Sequence, residues 1–401
     1  MAITTRNAVL FCLTVLAFHL SLTTTAETDE LAGISENLRQ RLQDHFTHTR
    51  HHDVNPVNKD NVRNYISETL KDCDLKVELQ EFSGTNNQYE GVNVIGILEG
   101  QAIGTADDNV VLLGAHYDTT DTTRGVDDNG SGVALLLEAA AMVTKAACKP
   151  KNTILFVAFD LEEFQREAFD ICIGSKHFVS EWLEPFLRVN ETTRSPFQGA
   201  LVMETVMNYN KSDWSQEFPE AIFLVSEEVH QHLQSRNFSG DFLTVIGRRT
   251  DADFSASFTS HLSQVSVPDM YTEIFELPIE GVPSEDEEVM LGDFFRSDHK
   301  RFWQKGPPYL PALFITDTAD FRVPMTVCYH EPCDDDKMIT DDNLLFLART
   351  TKATVNMLIE LSTEDATDWQ CPVGSVGRLQ PYNVAAFLVA AIIIIISSIS
   401  E

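Results

Sequence analysis

Basic residues are scarce in this chain of 401 residues, with 29 Lys and Arg against 61 Asp and Glu and a formal net charge of −32. So acidic a surface excludes nucleic acid as a partner, because phosphate binding requires the opposite sign. The seven cysteines contain no C-x-x-C pair, which argues against a zinc site built from thiolates. Long apolar runs are missing as well. The two most apolar stretches, Ala8 to Leu22 and Val384 to Ile396, stand near the ends and are short for a bilayer. No internal repeat is visible, and the apolar fraction of 43% is that of an ordinary globular protein.

The two ends read as addresses. Arg6, the apolar stretch and Thr24-Thr25-Ala26 have the order of a secretory signal over residues 1–26. Residues 384–401 form an apolar tail with no Lys or Arg after it. It follows a polar spacer, residues 367–383, and the small residues Gly374, Ser375 and Gly377. That order matches a lipid-anchor signal, with a short transmembrane tail as the alternative. The expected location is therefore the secretory pathway and then the cell surface or the extracellular space, with the membrane as a partner through the tail. Six cysteines remain after the signal, an even count that favours disulfides in an exported chain. Cys328 and Cys333 flank a tight loop and form the best candidate bridge. Asn190, Asn210 and Asn237 begin glycosylation sequons. Asn129 begins a fourth, inside the candidate site.

Between the ends, residues 27–366 read as one folded domain. Helices are predicted over 31–49, 59–70, 130–143 and 343–361, and strands over 75–82, 93–98, 110–114, 153–160, 200–203 and 312–315. Uninterrupted apolar runs such as VVLLG and TILFVAF are the mark of strands buried on both faces. Strands alternating with helices imply an α/β fold, a mostly parallel central sheet covered on both sides.

Polar groups cluster just after these strands. His116 and Asp118 follow the strand at 110–114, Asp127 opens the next helix, Glu162 and Glu163 follow TILFVAFDL, Glu204 follows ALVM, and His330 lies in CYHEPC. The carboxyl ends of strands are where open α/β sheets place their ligands. Two imidazoles with several carboxylates suit zinc or a similar divalent ion. Two ions sharing a bridging carboxylate need about five protein ligands, whereas one catalytic zinc needs about three. Adjacent glutamates repel, so cations would make the pair sensible. His45, His48, His51 and His52 lie outside these segments and read as a solvated helix end.

The segments GAHYDT, GVDDNGSG, FVAFDLEE, ALVMETVMNY, SDHKRFW, ALFITDTADFR and YHEPCDD resemble, in order, those of the zinc aminopeptidases of peptidase family M28. The resemblance covers roughly residues 30–365. It implies a three-layer α/β/α fold with a mixed, mostly parallel central sheet, two zinc ions per chain and a peptide substrate. It further implies that His116 and Glu204 hold one zinc, Glu163 and His330 the other, and Asp127 bridges both. Glu162 would be general base and acid, and Asp118 would orient His116. The Asp127-Asp128 bond would be the family's cis peptide, and Asp298 and His299 would support the pocket wall or the substrate.

Three departures accompany the resemblance. Glu204 stands where many such aminopeptidases carry Asp. Extra residues, FQREAFDICI, separate Glu163 from the GS-x-x-F segment, and no tyrosine occupies the stretch before Ser297. Within this fold the alternatives are a carboxypeptidase or dipeptidase, or a glutaminyl cyclase with a single zinc. An inactive receptor or adhesion ectodomain is the alternative from outside enzymology.

Overall fold

The computed structural model describes residues 28–363 except 86–87, 147–149, 164–169 and 220–221. The expected signal, spacer and apolar tail lie outside the described residues, as do Cys148 and Cys371. Among the described residues no helix is long and apolar enough to cross a membrane.

Eight strands form one sheet: β1 (Lys76–Ser83), β2 (Glu90–Leu98), β3 (Val110–His116), β4 (Ile154–Phe159), β5 (Phe197–Glu204), β6 (Phe242–Arg248), β7 (Tyr271–Leu277) and β8 (Ala312–Thr316). Their order is β1-β2-β4-β3-β5-β8-β6-β7. The central strands β4, β3, β5 and β8 are mutually parallel. β1 and β2 extend the sheet antiparallel on one side, and β6 runs antiparallel to β8 on the other. The expected mixed, mostly parallel sheet is present. β6 and β7 are additions to the predicted strands.

Side chains alternate across β3. Val111, Leu113 and Ala115 enter one core, and Val110 and Leu112 enter the other. On the first face pack α1 (28–45), α2 (Pro56–Asp72), α3 (Gly130–Ala146) and the closing helix Asp341–Ser362. The second face receives Phe178, Leu183 and Leu187, with Phe302 and Trp303 from the short helix His299–Trp303. β3 is buried along all seven residues. Burial on both faces is why it carries no polar residue before His116. Helix ends follow ordinary capping chemistry. Asn55 caps α2 ahead of Pro56, and the Thr340 side chain accepts the N–H of Asn343 at the start of the closing helix.

The segment between α1 and α2 is tied to the loop after β3 by Arg50, whose side chain is wholly buried. Its guanidinium donates to four carbonyls at 3.3 Å or less: Tyr117 (2.7 Å), Phe46 (3.3 Å), Arg124 (2.9 Å) and Gly125 (2.7 Å). Its backbone N–H donates to the Thr119 hydroxyl at 2.9 Å. Burial lowers its pKa to about 10 against the pull of Asp334, Asp128, Asp118 and Glu163, so it stays charged at neutral pH. Gly125, at φ +65°, lets the loop turn here, where a β-carbon would meet the Asp128 carbonyl at 2.3 Å. Replacing Arg50 with Met is expected to lower stability by about 3–5 kcal/mol, because buried carbonyls lose their donor and site carboxylates a buried cation. A urea midpoint unchanged in Arg50→Met would refute this; Arg50→Lys should recover only part, since a compact ammonium lacks the fork of donors.

Candidate metal centre

The four parallel central strands end side by side, and their carboxyl ends supply most of the site. β3 ends at His116, β5 at Glu204 and β8 just before Asp317, while β4 runs into Asp160-Leu161-Glu162-Glu163. Leu161 sits at φ 54° and turns the chain sharply, so both glutamates are delivered to one place. The turn is anchored by Asp160, which pairs with buried Lys59 at 2.6 Å and accepts the N–H groups of Val92 and Leu161 at 2.9 Å.

Two groups of metal-ligand atoms result, His116 with Asp128 and Glu204, and Asp128 with Glu163 and His330. His116 Nε2 lies 3.2 Å from Glu204 Oε1 and 3.4 Å from Asp128 Oδ1. His330 Nε2 lies 3.3 Å from Asp128 Oδ2 and 3.4 Å from Glu163 Oε2. Ligands of a tetrahedral ion with bonds near 2 Å stand about 3.3 Å apart along each edge. All four separations are therefore those of paired donors around such an ion, and the two oxygens of Asp128 face one group each. The donor set fits two divalent cations with one shared carboxylate.

The shared residue is Asp128, which corrects the expectation that Asp127 bridges. Asp127 turns away, accepts the Met207 N–H at 3.1 Å and meets Asp317. Burial, then the Asp317 charge, pushes the Asp127 carboxyl well above its usual range, and burial raises Asp317 to about 7. Both shifts favour the protonated form, and a protonated carboxyl is a poor ligand. Asp128 is the reverse case. Burial works upward on it, but its contacts with His116 and His330 hold it far below the usual carboxylate range. The cis peptide likewise lies one residue later than expected, at Asp128-Asn129.

Residues around the ligands hold them in place. Asp118 Oδ1 lies 3.5 Å from His116 Nδ1, the side expected to orient the ring, and also receives the Glu162 N–H at 3.1 Å. The Ser297 hydroxyl donates to Glu204 Oε2 at 2.7 Å, which accommodates the longer arm of a glutamate at this position. The Asp334 carboxylate receives the N–H groups of Asp127 (2.8 Å) and Asp128 (3.0 Å). The buried Asn129 side chain donates to the Met203 carbonyl at 2.8 Å and accepts the Gly132 N–H at 3.1 Å, so this sequon is part of the loop's internal bonding. Burial first, and then the Glu204 and Asp298 charges, raise the Glu162 carboxyl well above 4.5, against the opposing influence of His116. Asp298 is buried, and that burial raises it to about 7.

Some of these residues escaped sequence reasoning. Asp128 was visible beside Asp127, and only side-chain direction separates them. Ser297 and Asp334 stand inside SDHKRFW and YHEPCDD, but the segments do not say which side chain holds a ligand, and Arg50 stands in no such segment. Tyr329 is stacked on His330 with ring centroids 3.9 Å apart and lines an apolar pocket that also touches Glu204. The pocket has walls from Phe218, Phe242, Phe275, Phe294 and Phe314. Elsewhere, Cys328 and Cys333 are joined by a disulfide, and Cys73 and Cys172 carry free thiols. Asn190 and Asn237 are exposed, whereas the half-buried Asn210 donates to the Val323 carbonyl at 3.0 Å. His51, His52 and Asp53 form a third, outlying group of ligand-type residues. There the His51 ring accepts the backbone N–H of Asp53 at 3.2 Å, which makes it a turn cap.

Residues 93–267 match the family model for Peptidase family M28, a span that contains every candidate ligand except His330. Uncharacterized protein YfbL of Escherichia coli is 28% identical over 298 residues, 70% of this chain and 76% of that protein. Aminopeptidase YwaD of Bacillus subtilis is 35% identical over 121 residues, 30% of this chain and 23% of that protein. The fold is shared with the LapA aminopeptidase of Legionella pneumophila, at TM-score 0.56 and 17% identity over 85% of this chain and 75% of that one. It is also shared with the glutaminyl cyclase of Macrostomum lignano, at TM-score 0.55 and 16% identity over 81% and 89%.

His299 generates a prediction separate from catalysis. It is fully buried, donates from Nε2 to the Phe294 carbonyl at 2.9 Å and stacks on Phe314. Burial lowers its pKa from 6.5 to about 3. Between those values the unfolded chain binds a proton that the folded chain refuses, so this stability is present above the unfolded pKa and is lost as pH falls toward 3. The thermal midpoint should drop on acidification below about pH 6.5, and less steeply in His299→Gln. Parallel pH profiles for the two proteins would count against the assignment.

Proposed function

We propose that the chain, which matches the model for Peptidase family M28 over residues 93–267, is a dizinc aminopeptidase that removes N-terminal residues from peptides. The observation that carries the reading is the pair of ligand groups sharing Asp128, with Glu162 beside them and an apolar pocket opening at Glu204.

His116, Glu204 and Asp128 would hold one zinc, and Asp128, Glu163 and His330 the other. Bound zinc supplies Lewis-acid chemistry, lowering the pKa of a water ligand and polarising the scissile carbonyl. Glu162 is placed as the general base, since burial has already raised its affinity for a proton. It takes a proton from the attacking water and returns it to the leaving amine. Asp118 holds the backbone of Glu162 and Glu163 through both carboxylate oxygens, which fixes the base relative to the ligands. The acidic surroundings, Glu204 and Asp298 among them, favour a substrate with a positive amino terminus. The phenylalanine-lined pocket would receive the side chain of the terminal residue, with large apolar residues preferred. Secretion, the lipid anchor or membrane tail, and glycosylation at Asn190, Asn210 and Asn237 form part of the same proposal. It places the enzyme at the outer surface of a membrane or in the extracellular space.

Zinc-loaded protein is expected to cleave peptides with a free amino terminus and to ignore the N-acetylated forms. Release of a terminal Phe or Leu should exceed that of Gly by about tenfold or more. Cleavage of blocked peptides from the other end would replace the reading with a carboxypeptidase, and cyclisation of N-terminal Gln with a glutaminyl cyclase. Glu162→Gln should lose about 10²–10⁴-fold in kcat with its zinc retained. Metal analysis separates the two aspartates: Asp128→Asn should lose bound zinc, and Asp127→Asn should keep nearly all of it. Equal metal loss in both would undo the assignment of the bridge.

A further inference from the structure

The extra residues after Glu163 end in a turn that is tied directly to Glu162. The Cys172 N–H donates to the Glu162 carbonyl at 2.7 Å, and the Ile173 N–H donates to that of Leu161 at 2.9 Å. The Cys172 carbonyl is held by Arg301 Nε (3.2 Å), the Ser175 hydroxyl (3.1 Å) and the Lys176 N–H (3.1 Å). Arg301 also grips Asp170 at 2.6 Å and the Ile171 carbonyl. So clamped, Cys172 adopts φ 55°, a left-handed conformation that a β-carbon disfavours and that only its surroundings maintain.

The thiol this backbone presents is fully buried and lies 3.0 Å from Glu162 Oε1. Among the described residues it is the one hydrogen-bond donor to that carboxylate. Burial, then the Glu162 and Asp298 charges, push the thiol well above its usual 9, so sulfur keeps its proton and donates. The segment SDHKRFW thereby gains a use on two sides of the site, since Ser297 holds Glu204 and Arg301 holds the turn that carries Cys172.

We propose that Cys172 is a positioning residue for the general base: its S–H fixes Oε1 of Glu162 and leaves Oε2 as the oxygen that exchanges protons with water and the leaving amine. The inference rests on Glu162 being the base of the proposed peptidase. A thiol is a weak donor, so it can orient the carboxylate while withdrawing little of its basicity. A hydroxyl at the same place would orient it too, whereas a methyl group would leave it free to rotate.

The full-length, zinc-loaded protein would be compared with Cys172→Ala and Cys172→Ser on an N-terminal phenylalanine anilide. For Cys172→Ala, kcat should fall by about tenfold, with KM changed less than about twofold and zinc content unchanged; Cys172→Ser should return to within about threefold of the parent. A purely structural role would lower zinc content or the thermal midpoint along with kcat, and the serine variant would not be spared. Undiminished kcat in Cys172→Ala, or equal losses in both variants, would overturn the proposal. A second reading needs neither zinc nor turnover. The S–H infrared stretching band of Cys172, identified by its loss in Cys172→Ser, should shift when Glu162 becomes Gln in metal-free protein. An unshifted band would also overturn the proposal, and it decides the matter if the alanine variant fails to fold. If the parent releases no N-terminal residue while the band does shift, the peptidase reading fails and the thiol–carboxylate contact stands.

Discussion

Concentrated negative charge in a water-poor pocket is the constraint on which this structure depends. Asp128, Glu163 and Glu204 lie within the reach of two imidazoles, Glu162 stands next to Glu163, and all four carboxylates are buried. Like charges at such spacing repel strongly where the dielectric is low. Divalent cations would resolve the conflict, and the 3.2–3.4 Å separations between donors match their requirement. The protein contributes partial solutions of its own: Arg50 is a buried cation beneath the ligand loop, and burial together with Asp317 favours the uncharged form of Asp127.

The fold serves that constraint through topology. Four parallel strands end on one line, and each can launch a polar residue from an apolar strand without placing charge inside the sheet. Antiparallel neighbours widen the sheet without adding strand ends to that line. His116 and Glu204 thus stand on strand ends, and the loops that carry Asp128 and Glu163 are tied by hydrogen bonds and ion pairs to buried side chains such as Arg50, Asp160 and Asn129. Chemistry that depends on sub-ångström placement of a base and a bridging carboxylate needs that kind of support.

Legibility differed sharply among residues. The strands at β3, β4, β5 and β8 were readable because burial on both faces leaves an unmistakable apolar run. β6 and β7 were not read. In β7 exposed and buried residues alternate at a sheet edge, and in β6 the run Phe242–Arg248 is broken by Thr244, Gly247 and Arg248. Arg248 is buried only because Asp251 in the next turn, and the carbonyls of Gly281 and Leu310 from across the fold, receive it. Glu162, Glu163, Glu204, His116 and His330 were readable as a set, since each follows a strand or stands in a distinctive segment. Their partners Ser297 and Cys172 were not, because a single hydrogen bond across 93 or 10 residues of chain leaves no periodic trace.

What the sequence determined by itself is the inventory and its order: an acidic globular chain, buried parallel strands, and imidazoles and carboxylates delivered just past them. Those follow from local rules of periodicity and from chemistry that needs particular residue types. Tertiary structure alone decided which of two adjacent aspartates is shared. Successive side chains in a loop point in different directions, and the direction is set by what each meets. Asp127 meets another carboxyl and the Met207 N–H, while Asp128 meets two imidazoles. A pair of identical letters cannot carry that distinction, because it arises from contacts with His116, Met207, Asp317 and His330, which come from other elements of the fold.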